Sequence, residues 1–235
     1  MRLKHLSLNV IVDVAFICGI DRTPVSILIA TPPGAGKTWA TKSIELINGV
    51  KYLSHSTSPN EHRKLITHEA PRIRLLINDD AGQLFSSNRR EQFLTTFSSV
   101  IDGRIAYTVY KTGHYAYTNC SLILCCTQSQ YYDVQEDMER SGLHSRLIPF
   151  VVGTSEETRI NYQERLLLGK IESENIPNRQ PVLYPRDLPK DDIIRESDVE
   201  PRLLKNIRVM SQYLTEEQTD ELIKVAHSKG SEYEI

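Results

Sequence analysis

Apolar positions fall into short unbroken runs separated by stretches with helical periodicity. The runs VSILIA (25–30), IRLLIN (73–78), SLILCCTQ (121–128) and LIPFVV (147–152) carry many β-branched residues and do not alternate, which marks strands buried on both faces. A further strand is predicted at 50–53. The N-terminal stretch reads as a packed amphipathic helix ending near Gly19, and helices are predicted at 37–48, 59–67 and 89–101. The helix at 59–67 opens with Ser58-Pro59-Asn60-Glu61, a capping box with proline at the first helical position. Residues 104–119 alternate, are rich in Tyr and Thr and hold Lys-Thr-Gly-His at their centre, a hairpin signature. Strands alternating with helices predict an α/β fold built on a parallel sheet covered on both faces.

Beyond Gly153 the pattern changes to helices at 156–168, 199–213 and 215–228 around a loop punctuated by Pro177, Pro181, Pro185 and Pro189. The expected organisation is a core over 1–153 and a small helical lid domain over 154–235.

Composition narrows the function only by exclusion. With 40% hydrophobic and 25% charged residues the chain is an ordinary globular one. Its net charge of −2 excludes a histone-like polycation. Residues 1–153 carry 16 basic and 13 acidic side chains and the remainder 12 and 17, so any nucleic-acid contact must be local. Cys18, Cys120, Cys125 and Cys126 lack zinc-like spacing and read as reduced, buried thiols; the adjacent pair should point to opposite faces of a strand. No HExxH or similar pattern occurs among the seven histidines, so a metal held by protein alone is not expected. Asn9 and Asp13 interrupt the N-terminal apolar stretch and no small-x-small site follows it, so no signal peptide or membrane span is expected and the chain reads as cytoplasmic.

Thr31-Pro32-Pro33-Gly34-Ala35-Gly36-Lys37-Thr38 is the strongest chemical signal. A glycine-rich turn between a buried strand and a helix lets backbone N–H groups converge on phosphate oxygens. Residues from Pro33 to Trp39 form the expected cradle. Lys37 would neutralise the β- and γ-phosphates of ATP, and the Thr38 hydroxyl would ligate Mg²⁺. The spacing is that of the P-loop except at its first position, where Thr31 replaces glycine. Asp79 and Asp80 end a hydrophobic strand; Asp79 suits a Mg²⁺ contact and Asp80 activation of the attacking water.

With these two motifs the chain resembles the AAA+ ATPases over most of its length, implying a P-loop NTPase sheet with a helical lid. The resemblance implies that Thr127, at the tip of a strand lying between the two nucleotide-motif strands, senses the γ-phosphate, with Gln128 as second choice. It implies that Arg146, in Gly142-Leu143-His144-Ser145-Arg146 ahead of LIPFVV, is an arginine finger acting in a neighbouring subunit, with Arg140 as fallback. Arg202, in the helix opening with Glu200-Pro201, would be a second sensing arginine.

The hairpin before the sensor strand resembles the AAA+ clade that includes viral and mobile-element helicases. That likeness implies work on DNA by a helicase, loader or translocase in a ring-shaped homo-oligomer, a hexamer by analogy. Tyr110, Lys111, His114 and Tyr115 are the expected DNA contacts. Protein remodelling, with a protein partner gripped by the hairpin, and a slow nucleotide-gated scaffold, suggested by Asp80, are the alternatives.

Overall fold

The computed structural model describes residues 6–53, 56–109, 112–153, 201–227 and 233–234. From the N-terminus the elements are α1 (Leu8–Ile20), β1 (Ser26–Ala30), α2 (Lys37–Lys42), β2 (Val50–Tyr52), α3 (Pro59–Glu69) and β3 (Leu75–Asn78). Next come α4 (Ala81–Phe85), α5 (Arg90–Ile101), β4 (Arg104–Val109), β5 (Thr112–Tyr117), β6 (Ser121–Cys126) and α6 (Gln128–Arg140). A 3₁₀ turn (His144–Arg146) leads to β7 (Ile148–Gly153), and the later elements are α7 (Pro201–Ser211), α8 (Glu216–His227) and β8 (Tyr233–Glu234).

The main sheet has the order β2-β3-β6-β1-β7-β8, and every pairing within it is parallel. The apolar runs become its interior because β1, β3, β6 and β7 bury both faces, whereas β2 is half-buried. Ile27, Ile29, Ile77, Ile123, Cys125 and Phe150 pack on the side of α1, α2, α7 and α8. Their neighbours Leu28, Leu76, Leu124, Cys126 and Val151 pack on the side of α3, α4, α5 and α6. The fold class is thus α/β, with a parallel sheet between two helical layers. Cys125 and Cys126 face opposite layers, as strand alternation requires, and all four cysteines are free and buried.

Several elements depart from expectation. Helix α1 is not amphipathic in its burial: Leu8, Ile11, Val12, Val14, Ala15, Phe16 and Cys18 are all buried. Such residues occupy more than one side of a helix, which suits an element enclosed between the sheet and other helices. Helix α2 stops at Lys42, short of the predicted 48. Its continuation tightens into three-residue bonds such as Ile44 N–H to Thr41 C=O (3.3 Å) and Ile47 N–H to Ile44 C=O (3.1 Å). The Ser43 hydroxyl, bonded to Ala40 C=O at 2.7 Å, competes for the same backbone acceptors. Helices α4 and α6 were not anticipated, nor was the edge strand β8. The capping box of α3 forms as read, with Ser58 Oγ accepting from Glu61 N–H at 3.2 Å and Ser58 N–H donating to Glu61 Oε2 at 2.9 Å.

The hairpin forms its own two-stranded sheet and lies against α3 and α5. Beyond Gly153, the predicted helix at 156–168 and the proline-rich loop lie outside the described residues. Helices α7 and α8 bury Ile207, Met210, Leu222 and Val225 in the same apolar layer as α1. Leu6 N–H donates to Glu221 Oε2 (2.8 Å), tying the start of the described chain to α8. No helix among the described residues is long and apolar enough to cross a membrane.

Candidate functional site

In a parallel sheet the loops after the strands gather along one edge, the usual place for a ligand crevice. Thr31 follows β1, Asp79 and Asp80 follow β3, and Thr127 follows β6. Since β6 lies between β1 and β3, the three segments are neighbours on that edge.

The loop from Thr31 to Lys37 has the backbone its glycines permit. Gly34 and Gly36 sit at φ +81° and +85°, a left-handed region where a Cβ is strained. Apart from the glycines themselves and the residues adjoining them, no heavy atom lies within 4 Å of where either Cβ would stand, so the demand for glycine comes from the backbone rather than from crowding. The Lys37 ammonium donates to Thr31 Oγ1 (2.9 Å), Thr31 C=O (3.1 Å) and Pro32 C=O (3.4 Å). Thr31, the departure from the motif, is fully buried and its hydroxyl is one of the oxygens that fix Lys37. Burial draws the Lys37 pKa below the ordinary lysine value, and the charge of Asp80 partly offsets that drop. Thr38 and Trp39 are exposed at the start of α2.

At the end of β3 the buried Asn78 turns its Oδ1 to accept from Asp80 N–H (3.1 Å), which shapes the turn carrying both carboxylates. Asp80 occupies the N-cap position of α4, but its side chain makes no capping bond there. Asp79 and Asp80 are both half-buried. Asp80 acts electrostatically on Lys37 and on Cys126, and Asp79 on Cys125. The two acidic side chains and the lysine therefore share one electrostatic neighbourhood.

Thr127 is the N-cap of α6. Its Oγ1 lies 2.9 Å from Gln130 Oε1 and 3.1 Å from Ser129 Oγ, and Gln130 Oε1 also accepts from Thr127 N–H at 2.9 Å. The hydroxyl expected to sense phosphate is thus engaged in a capping box. Its neighbour Gln128 has an Nε2 that is buried with no hydrogen-bond partner among the described residues, and the same holds for Asn78 Nδ2. Gln130 also touches α4: a Cβ on Gly82 would fall 1.9 Å from Gln130 Oε1. The sequence reading overlooked Asn78 and Gln130, although the Thr127-x-x-Gln130 capping box was legible.

The arginines lie elsewhere. Arg146 precedes β7, at the sheet edge opposite the glycine loop, and its Nη1 pairs with Asp102 Oδ2 at 2.9 Å. Asn206 of α7 donates to the Arg146 carbonyl at 3.3 Å. Nearby, His144 is held by Tyr131 OH at 2.9 Å, and burial lowers its pKa. Arg140 pairs with Glu136 at 3.1 Å on the exposed side of α6. Arg202 lies in α7, but its side chain is outside the described residues. Tyr110 and Lys111 are outside them too, whereas His114 and Tyr115 stand exposed on β5.

Among the described residues no group of three or more His, Cys, Asp and Glu gathers to hold a metal. Compared with protein-family models and with curated protein sequences, the chain matches none of them.

Proposed function

We propose that this chain is an AAA+-type P-loop ATPase that hydrolyses ATP with Mg²⁺ to drive work on DNA. The observation that carries the reading is the conjunction on one sheet edge of a left-handed glycine loop closed by Lys37 and the acidic pair that follows β3. The strand order supports it as well, since β6 lies between the two strands that end in these motifs.

The residues present fit a nucleoside triphosphate and its ion. Space is open over Gly34 and Gly36, so the backbone N–H groups of Gly34, Gly36, Lys37 and Thr38 would be offered to phosphate oxygens, while that of Ala35 donates to the Pro32 carbonyl at 3.3 Å. Lys37 would exchange its loop oxygens for the β- and γ-phosphates, an exchange that gives a partly buried cation a directly bonded anionic partner. Thr38 and Asp79 would hold Mg²⁺, which would neutralise charge on the phosphates. Asp80, not engaged in capping, would accept the proton of the attacking water. Gln128, whose Nε2 has no hydrogen-bond partner among the described residues, would sense the γ-phosphate in place of the capping Thr127. Arg146 cannot serve its own subunit from the opposite edge and would act in a neighbour's site within a homo-oligomeric ring, with Arg202 as a further sensing group. His114 and Tyr115, together with Tyr110 and Lys111, would meet DNA.

ATP turnover measured with and without single- and double-stranded DNA, at two salt concentrations, tests this reading. Turnover stimulated by DNA, with stimulation that falls as salt rises, is expected. Stimulation by a protein partner without a DNA response would assign the same motor to polypeptide, and no turnover under any condition would remove the ATPase.

A further inference from the structure

One face of the hairpin and helix α3 wall an open cleft of about 400 Å³. In the hairpin register Arg104 stands opposite Tyr117 and Ala106 opposite Tyr115, so strand alternation places these side chains on one face with Gly113. That face is open, with Tyr115 62% and Tyr117 73% exposed. The reverse face is anchored in the core by the fully buried Ile105, which fixes the hairpin against the body of the molecule.

The polar side chains of the cleft are set in place. The Arg104 guanidinium carbon lies 5.4 Å from the centroid of the Tyr115 ring. Tyr115 meets Tyr117 edge-on at 6.2 Å between centroids. Across the cleft Arg63 is steadied from α5, donating from Nε to Thr96 Oγ1 (2.9 Å) and from Nη2 to the Gln92 carbonyl (3.4 Å). Asn60 completes the polar lining, His114 borders the cleft from the neighbouring position on β5, and among the described residues no carboxylate lines it.

Building on the DNA contact assigned above to the hairpin, we propose that this cleft seats a single-stranded polynucleotide. Arg63 and Arg104 take the phosphates, and bases stack on Tyr115 in the cleft and on Tyr117 beside it on the same hairpin face, once the two exposed rings turn from their edge-on contact. Two guanidiniums without a lining carboxylate call for a polyanion. Two exposed rings on one strand face add a preference that phosphate alone does not explain, because unpaired bases offer π-faces that a duplex hides in its stack. A phosphopeptide would occupy the arginines and leave both rings without a role. The seat is therefore the hairpin's flank against α3, and Arg63, Arg104 and Tyr117 join it although the sequence pattern did not single them out.

The test is fluorescence anisotropy on the full chain without ATP, using labelled oligothymidylate, oligouridylate, a DNA duplex and a phosphotyrosine peptide. Both single strands are expected to bind more tightly than the duplex or the peptide, and the ratio of the two single-strand arms assigns the site to DNA or RNA. Tyr115→Ala and Tyr117→Ala are each expected to weaken single-strand binding about tenfold, with Tyr117→Phe restoring it. Arg104→Ala should reduce the log–log salt slope by about 0.7, which the tyrosine variants should not. Variants that bind as tightly as the parent, or tighter binding of the duplex or the peptide, would overturn the assignment. ATP affinity measured on the same preparations separates the two proposals. Oligonucleotide binding without ATP binding defeats the ATPase alone, and the converse defeats this cleft alone.

Discussion

Lys37 concentrates the chemistry of the site at the scale of a single residue. Partial burial removes hydration from its ammonium and lowers its pKa from the ordinary 10.5. A base with a lowered pKa loses its proton earlier as pH rises, and the ammonium is the form that attracts phosphate. ATP affinity is therefore expected to fall on the alkaline side before a free lysine would titrate. An affinity that stays flat up to the free-lysine range would contradict that role. The glycines make a separate prediction. Gly36→Ala should cost about 1–2 kcal/mol in a denaturation experiment, because φ +85° is left-handed for an L residue. The thiols make a third. Burial raises the Cys18, Cys120 and Cys126 pKa values to about 12 and pushes Cys125 up as well. Thiol reagents should leave the native protein unmodified and react at all four positions after denaturation; rapid reaction of the native protein would show that the thiols are accessible. At this scale the glycines, Lys37 and the aspartates were legible because their spacing is local. Thr31 was read as a flaw in the motif, and only the fold shows its hydroxyl holding Lys37.

Elements carry the next level of organisation, and the contact of Gln130 with Gly82 is the most specific of them. Gln130 caps α6 through Thr127 and lies where a Gly82 side chain would be, so the end of β6 and the helix after the acidic pair share one joint. Thr127→Ala is expected to cost about 1 kcal/mol as a lost N-cap. Gly82→Ala should cost about as much, since the added methyl displaces the end of the Gln130 side chain and with it the bonds to Thr127. Equal stability of Gly82→Ala and the parent in urea denaturation would show that Gln130 moves aside without penalty. The strands were legible because burial on both faces leaves unbroken apolar runs, and α3 because its capping box is a local signal. Helix α6 has a weaker pattern, with Tyr131, Val134 and Met138 as its buried residues amid charged ones. Helix α2 ended early for a reason the periodicity does not carry, since Ser43 competes for the backbone acceptors that would have continued it.

Across the whole molecule, the position of Arg146 sets the strongest constraint. It lies before the first residue of β7, and Ile148 pairs with Ile27 near the start of β1. The glycine loop follows the other end of β1, a strand of five residues, roughly 16 Å away along the sheet. An arginine tethered there by Asp102 can complete an active site only by crossing to another subunit. Mixing Arg146→Ala protein with Lys37→Ala protein should therefore restore part of the ATPase activity that each lacks alone. No recovery in mixtures shown to co-assemble would contradict the finger. The sequence order suggested this role, but the sheet-edge placement and the Asp102 pairing depend on tertiary packing, as does the joining of α7 and α8 to the layer of α1. The central claim, that the loop at Gly34 and Gly36 grips a triphosphate beside the tandem aspartates, is tested most directly by Mg²⁺-ATP binding. Measured by equilibrium titration, the parent and Asp80→Asn should bind alike while Lys37→Ala loses affinity; undiminished binding by Lys37→Ala would contradict the account.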